Sequence, residues 1–390
     1  SGLPVPIFAR RGAATQGPKG FARKSVPGRC ILPAPNAEPA RRRGGWKDVN
    51  RGEGKETSMG FRICTIGCGG IATGRHGPSY AAYAAERPDT ELAACCDLDE
   101  AKAEAFQRKF GFARRYTDLV EMLNTERPDA VCLVAPVPVT CELSCRILEM
   151  GYPLLMEKPP GKTIEETDRM MAAAEAAGAP SQVAFNRRHA PLVRELKRLM
   201  SETLPDGRIQ HIRYEMVRVN RREKDFSTTA IHGIDAARFL AGSDYETVRF
   251  HYQELPDVGP GVCNAYMDCT FESGATGHLS FCPVAGATIE GAVIHALDNT
   301  FLLRLPMYRG LDASGRLRHV RKGKVESDVT AADVSEGDEA FRLDGFYGEN
   351  ASFFDDIRAG RRPAGDLRNA RQSVVIAQCM RERRSEYPGR

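Results

Sequence analysis

Between residues 61 and 185 the chain alternates short apolar runs with longer stretches whose apolar positions recur at helical spacing. Phe61–Ile66 (FRICTI) runs straight into glycines, as a buried parallel strand does. The pattern then predicts a helix to about Glu86, disturbed near Gly77-Pro78, and a strand over Glu91–Cys96 closed by Asp97. Asp99–Phe110 is a predicted helix, with Asp99 as N-cap and Gly111 just past its end. A short helix over Asp118–Glu126 precedes a strand over Ala130–Val134 and the loop Ala135-Pro136-Val137-Pro138. Thr140–Met150 is predicted helical, Pro153–Met156 a strand, and Thr163-Ile164-Glu165-Glu166 a capping box opening a helix to Gly178. Ser181–Phe185 closes the series. Strands alternating with helices predict a parallel sheet covered on both faces, a doubly wound α/β architecture.

After about residue 205 the period changes. Arg208–Val219, Val262–Phe271, Ala275–Phe281, Ile289–Leu297 and Phe301–Leu305 mostly alternate polar and apolar residues, the mark of an antiparallel sheet with one open side. A helix is expected over Thr229–Ala241 inside this half, and helices return at Gly348–Arg358 and Asp366–Arg384. The expected fold class is therefore α/β followed by α+β, the second part built on a large, mostly antiparallel open sheet.

Residues 1–58 show neither period. Pro, Gly, Ala and Arg dominate, so the segment cannot bury enough surface to order itself. It holds 12 Lys and Arg against 4 Asp and Glu, leaving 43 against 47 in the rest of the chain. The body is thus mildly acidic, and a basic appendage makes the whole basic. Arg10-Arg11 is not followed by the apolar region of a twin-arginine signal, and the prolines and glycines would break the helix of a mitochondrial transit peptide. The simpler expectation is a disordered or non-native extension with Met59 as the natural start, since Lys55-Glu56 can be encoded by a purine-rich ribosome-binding sequence. The expected division is 1–58 extension, 59–184 nucleotide-binding domain and 185–390 substrate and oligomerisation domain.

Composition excludes several classes. No apolar run approaches the ~18 residues of a membrane span. The Arg41-Arg42-Arg43 cluster lacks the aromatic interleaving or fold motif of a nucleic-acid binder. Cys64, Cys95, Cys96 and Cys132 fall in apolar runs where cysteine serves as a small hydrophobe, and Cys141 and Cys145 have no second pair at metal-ligand spacing. A reducing, cytoplasmic compartment and no metal site are expected.

Three stretches carry chemistry. Gly67-Cys68-Gly69-Gly70-Ile71-Ala72 follows a strand and opens a helix, the context in which such a turn wraps a pyrophosphate. Gly67 permits the turn, Gly69 lets the backbone approach the phosphates, and Ala72 allows close helix–strand packing. Asp97 at the next strand end is placed to accept from a ribose diol, and with Leu98 after it NAD is favoured over NADP. Its bland reading is a cap for the following helix. Glu157-Lys158-Pro159 puts a lysine on a rigid strand-end turn, where its ammonium can stabilise an alkoxide; otherwise it is a surface lysine paired with Glu157. His232 and Asp235, one turn apart, share a helix face, and His232 can act as general base unless it is simply structural.

TIGCGGIA, MEKPP and IHGID, in this order, resemble the signature blocks of the glucose–fructose oxidoreductase / inositol dehydrogenase (Gfo/Idh/MocA) family, and AFNRR (184–188) resembles its domain junction. The resemblance spans about Gly60 to Arg384 and implies a Rossmann domain followed by an open-sheet domain. It implies NAD(P)-dependent oxidation or reduction of a hydroxyl on a sugar, polyol or glycoside, with Lys158 and His232 catalytic and Asp235 a substrate contact. The expected cofactor neighbours are Gly67, Cys68, Gly69, Gly70, Ile71, Ala72, Asp97, Pro136, Glu157 and Lys158. Asn186, Arg187, Thr228 and Asp235 are expected around the substrate. Two positions depart from the family. Thr228 stands where many members have an aspartate, and Thr140 where many have a histidine in the loop after the fourth strand. The Arg213, Arg218, Arg221 and Arg222 series reads either as contacts for an acidic substrate or as a solvated strand face. Rival functions are an NAD-dependent glycosidase acting through a transient ketone and a non-catalytic NAD-binding sensor. A homodimer or homotetramer is expected, because a large uncovered sheet tends to be buried by association.

Overall fold

The structure, a computed structural model, describes residues 60–204, 206–307, 310, 313–387 and 389. The expectations for residues 1–58 and for Met59 as the start lie outside the described residues.

The strand–helix series forms as its periodicity predicts. Strand β1 (Phe61–Ile66) leads through the glycine turn into a π-helical turn, Ala72–His76, and then α1 (Gly77–Glu86). The expected disturbance near Gly77-Pro78 is that π turn: proline has no N–H for the helical ladder, and the wider turn absorbs the mismatch. There follow β2 (Thr90–Cys96), α2 (Glu100–Phe110), β3 (Arg114–Tyr116), α3 (Leu119–Glu126), β4 (Ala130–Leu133), α4 (Val137–Glu149), β5 (Leu154–Met156), α5 (Ile164–Ala177) and β6 (Ser181–Val183). Asp99 caps α2 by accepting from the amides of Ala101 and Lys102, and Gly111 closes it with φ 78°. At α5 only half of the expected capping box forms. Thr163 accepts from the Glu166 amide, but the Glu166 carboxylate turns to the amide of Lys162.

The six strands make one parallel sheet, ordered β3-β2-β1-β4-β5-β6. The order reverses between β1 and β4, so the crevice at their carboxyl ends is the natural ligand site. Cys64, Cys95, Cys96 and Cys132 are buried in these strands, as their apolar context predicts.

Helix α6 (Pro191–Thr203), not anticipated from the sequence, leads into the second half. It buries Leu192, Val193, Leu196, Leu199 and Met200 along one stripe, a spacing that is plain in its sequence. Then come β7 (His211–Val217), α7 (Ser227–Ala241), β8 (Tyr245–Glu254), β9 (Cys263–Phe271), β10 (Thr276–Cys282), β11 (Ile289–Ala296), β12 (Asn299–Arg304), β13 (Arg316–Arg321), β14 (Lys324–Val329), α8 (Ala340–Leu343), α9 (Phe346–Arg358), α10 (Leu367–Arg381) and β15 (Glu386–Tyr387). The sheet has nine strands, ordered β14-β13-β12-β11-β7-β10-β9-β8-β15. It is antiparallel except where β7 and β10 run side by side in parallel. Strands β8, β13 and β14 escape the alternation test because charged residues crowd them.

Helix α7 lies on the inner face of this sheet. A methyl group on Gly233 would come within 2.9 Å of both the Phe281 and Tyr214 rings, so glycine brings the helix axis close to β7 and β10. Near the C-terminus the chain returns to the first sheet: Phe353 and Phe354 of α9 share a core cluster with Phe61, Ile63, Tyr80 and Tyr83. Among the described residues no helix is long and apolar enough to cross a membrane.

Candidate active site

The glycine turn sits at the switch point between β1 and β4. Gly67 has φ +93°, and a side chain there would meet the carbonyl oxygen of Val134 at 2.1 Å, so the fold itself demands glycine. Gly69 and Gly70 differ: a methyl group on either would touch no protein atom within 4 Å. Packing does not require glycine at these two positions. An open backbone turn ahead of the Ala72 helix fits close approach by a pyrophosphate. Ala72 is fully buried, whereas Ile71 is 54 % exposed beside the turn.

Asp97 is tied to the same turn. Its Oδ2 accepts from the Cys68 amide at 2.8 Å and its Oδ1 from the Asp99 amide at 2.9 Å. Cys68 therefore turns its amide to Asp97, and its thiol is buried. Each Asp97 oxygen keeps a further lone pair for a ribose hydroxyl. The donors, the open turn and this carboxylate fit a dinucleotide.

At the end of β5, Glu157 is gripped from two sides. His76 Nε2, delivered by the π turn, lies 2.9 Å from Glu157 Oε1, and the Lys158 amide donates to Oε2 at 3.0 Å. Burial would raise the Glu157 pKa, but His76 and Lys158 hold it below the usual range. The Lys158 ammonium reaches across to α7 and donates to the Thr228 carbonyl oxygen at 3.1 Å. Burial lowers the Lys158 pKa, and the Glu157 charge only partly offsets it. Pro136, expected near the cofactor, is the N-cap residue of α4 at the end of β4. Thr140 lies in α4, which begins at Val137, three residues before the expected start, and its hydroxyl donates to the Pro136 carbonyl at 3.1 Å.

His232 lies one turn after Thr228 on α7 and is 8 % exposed. Its Nδ1 is buried without a hydrogen-bond partner. Burial and the charges of Arg187, Lys158 and Arg218 push its pKa well below the usual value, so the ring is neutral at pH 7 and free to accept a proton. An orphaned, neutral imidazole nitrogen near a lysine ammonium is the chemistry of a general base beside an alkoxide stabiliser.

The remaining expected residues divide. Asn186 and Arg187 flank a cavity of ≈ 140 Å³ walled also by Leu305, Met307, Asp344 and Phe346. Asn186 donates to the Asp344 carbonyl at 2.7 Å and accepts from Arg187 at 2.9 Å. The Thr228 hydroxyl donates back to the Asp225 carbonyl, so its carbonyl rather than its side chain meets Lys158. Asp235, expected to touch substrate, is fully buried and committed elsewhere. It pairs with Arg188 through Nε at 2.7 Å and Nη2 at 2.5 Å, and accepts from Ser373 at 3.1 Å.

Sequence reasoning missed Glu290, which β11 places on the inner sheet face. It accepts from Arg187 Nε and Nη2, both at 3.1 Å, from the Tyr214 hydroxyl at 2.7 Å, and from Arg218. Burial alone would raise its pKa, but the two arginines bring it down to about 2. The signal was its register: Glu290 shares the buried phase of β11 with Ala292, Ile294 and Ala296, and Arg218 follows the buried phase of β7. The arginine series thus splits. Arg213 is exposed on the open face, Arg218 is 7 % exposed beside Glu290, and in the segment between β7 and α7 Arg221 donates to Thr229 of α7 and Arg222 to Asn220.

Residues 61–185 match the family described as an oxidoreductase family with an NAD-binding Rossmann fold. The chain is 31% identical over 202 residues to a D-glucoside 3-dehydrogenase of Escherichia coli (strain K12), covering 48% of this chain and 55% of that one. It is 30% identical over 200 residues to a D-apiose dehydrogenase of Paraburkholderia graminis, covering 48% and 52%. The chain spans about half the length of these curated relatives. A solved levoglucosan dehydrogenase in complex with NADH and levoglucosan superposes with TM-score 0.71 at 19% identity, covering 84% of this chain and 99% of that one, and shares its fold. Residues 61–185, with the Rossmann sheet and two of the three signature blocks, thus match the NAD-binding domain of the Gfo/Idh/MocA oxidoreductase family.

Proposed function

We propose that the protein is an NAD-dependent dehydrogenase that moves a hydride between a nicotinamide and a hydroxyl-bearing carbon of a sugar, polyol or glycoside. One observation supports this: the Lys158 ammonium reaches the Thr228 carbonyl one helical turn before His232, whose Nδ1 is buried and unpartnered.

Lys158 donates to the reacting hydroxyl and stabilises the oxygen as negative charge develops on it. His232, neutral because it is buried among cations, takes the hydroxyl proton on its free nitrogen. Glu157 fixes the Lys158 main chain and is itself held by His76. Gly67, Gly69, Gly70 and Asp97 would hold the dinucleotide, which supplies the hydride acceptor when bound. The choice of NAD over NADP rests on the Asp97 carboxylate, which would repel a 2′-phosphate where it welcomes a diol. The polar open face of the second sheet is taken as the surface of a cytoplasmic homodimer or homotetramer.

The test is NADH absorbance on incubation with NAD, and separately NADP, against sugars, polyols, glycosides and sugar acids. Turnover with NAD supports the proposal. Tight NAD binding with no reduction of NAD by any compound contradicts it.

A further inference from the structure

Arg187, Glu290 and Arg218 form a charge cluster that is out of balance. Their side chains are 14%, 0% and 8% exposed, so two guanidinium ions and one carboxylate are buried together on the inner face of the second sheet. Glu290 is saturated: Oε1 accepts from Arg187 and Tyr214, and Oε2 from Arg187 and Arg218. The arginines are not. Arg218 spends Nη1 on the Val217 and Ile289 carbonyls and one Nη2 proton on Glu290, which leaves Nε and the second Nη2 proton.

The neighbouring carboxylates are already committed. Asp344 pairs with Arg75 at 3.2 Å, Asp235 with Arg188, Glu157 with His76 and Lys158, and Glu223 with Arg221. Burial and the Glu157 charge raise the Glu349 pKa well above its usual value, which favours its protonated form. His232 adds no negative charge, and Lys158 adds a positive one. A buried excess cation is costly unless a counter-ion meets it. The pyrophosphate cannot fill that role, because its cradle is the Gly67–Ile71 turn on the other sheet.

We propose that the substrate is a sugar acid or polyol acid whose carboxylate completes the Arg187–Glu290–Arg218 cluster while its hydroxyl meets Lys158 and His232. This rests on the dehydrogenase assignment and narrows its substrate class. With the Lys158 charge set against Glu157, the Arg187–Glu290–Arg218 cluster itself has an excess of a single charge, which a carboxylate matches.

The test compares matched pairs, D-gluconate with D-glucitol and D-glucuronate with D-glucose, with D-glucose 6-phosphate as a third arm. The acid of each pair is expected to have a kcat/KM at least ~10-fold above its neutral partner, the scale of one additional desolvated charge contact. Arg218→Met is expected to lower the acid-to-neutral ratio, and Arg218→Lys to restore part of it. Calorimetric Kd values for D-gluconate and D-glucitol on the wild-type protein saturated with NADH need no variant, and gluconate is expected to bind more tightly. Neutral partners that match or exceed the acids overturn the carboxylate assignment and leave the dehydrogenase standing. Preference for the phosphate ester over both acids also overturns it. NAD reduction by none of the compounds, together with equal gluconate and glucitol affinity, overturns both.

Discussion

The Lys158 ammonium donates to the Thr228 carbonyl across 3.1 Å, joining the end of β5 to the first turn of the helix that carries His232. The contact ties the end of the first sheet's β5 to the helix on the second sheet, so Lys158 and the helix that carries His232 are joined before substrate arrives. It also brings a third cation near an imidazole already crowded by Arg187 and Arg218.

That crowding sets the pH dependence. Burial and the three cations depress the His232 pKa, so the base is free to accept a proton well below pH 6.5. Burial also lowers the Lys158 pKa from 10.5. The kcat/KM profile for oxidation is expected to fall on the acid side with a midpoint below 6.5 and on the basic side with a midpoint below 10.5. An acid limb centred above 6.5 contradicts the assignment. Stability follows the same sign. As pH falls through about 6.5 the unfolded chain takes up a proton at this histidine that the folded protein refuses, so His232 destabilises the fold progressively in acid. His232→Gln is expected to flatten that part of the stability curve.

Asp97 serves the turn in addition to its proposed ribose contact. Asp97→Ala removes the acceptor for the Cys68 amide together with the hydroxyl contact. NAD affinity is expected to fall by about 10-fold or more, in line with ~1.5–3 kcal/mol for a hydrogen bond to a charged group, while NADP loses less. Fluorescence titration with NADH and NADPH measures both. An equal loss for the two would remove Asp97 from the choice of cofactor.

Gly233 is tested by a single methyl group. Gly233→Ala places a carbon 2.9 Å from the Phe281 and Tyr214 rings. Overpacking of this kind costs about 1–3 kcal/mol, against a helix-propensity gain of ~1 kcal/mol. The variant is expected to melt lower and to lose kcat, because His232 shifts with its helix. A higher melting temperature would show that the helix has room to move.

Much of this was legible in sequence, and the omissions have physical reasons. The 61–185 series and the cap at Asp99 follow from periodicity and local hydrogen bonding, which nearby residues decide. Lys158 and His232 stand out as candidates in sequence because each sits in a distinctive local motif. Glu290 has no motif, since its partners Arg187, Tyr214 and Arg218 come from distant parts of the chain and only its strand register betrays it. His76 reaches Glu157 by virtue of a π turn that sequence did not specify. Asp235 has the position of a substrate contact but its partners are Arg188, from the 186–189 turn, and Ser373, from α10, both distant in sequence. The return of α9 to the first sheet, with Phe353 and Phe354 in its core, is likewise a long-range event.

The most direct measurement is the initial rate of NADH formation from the best substrate by the wild-type protein, Lys158→Ala and His232→Ala, with NADH affinity measured for each. Loss of ~10²–10⁴ in kcat in each variant, with NADH still bound, is the expected result. Turnover near wild type in either variant would contradict the proposed pair of an alkoxide stabiliser at Lys158 and a base at His232.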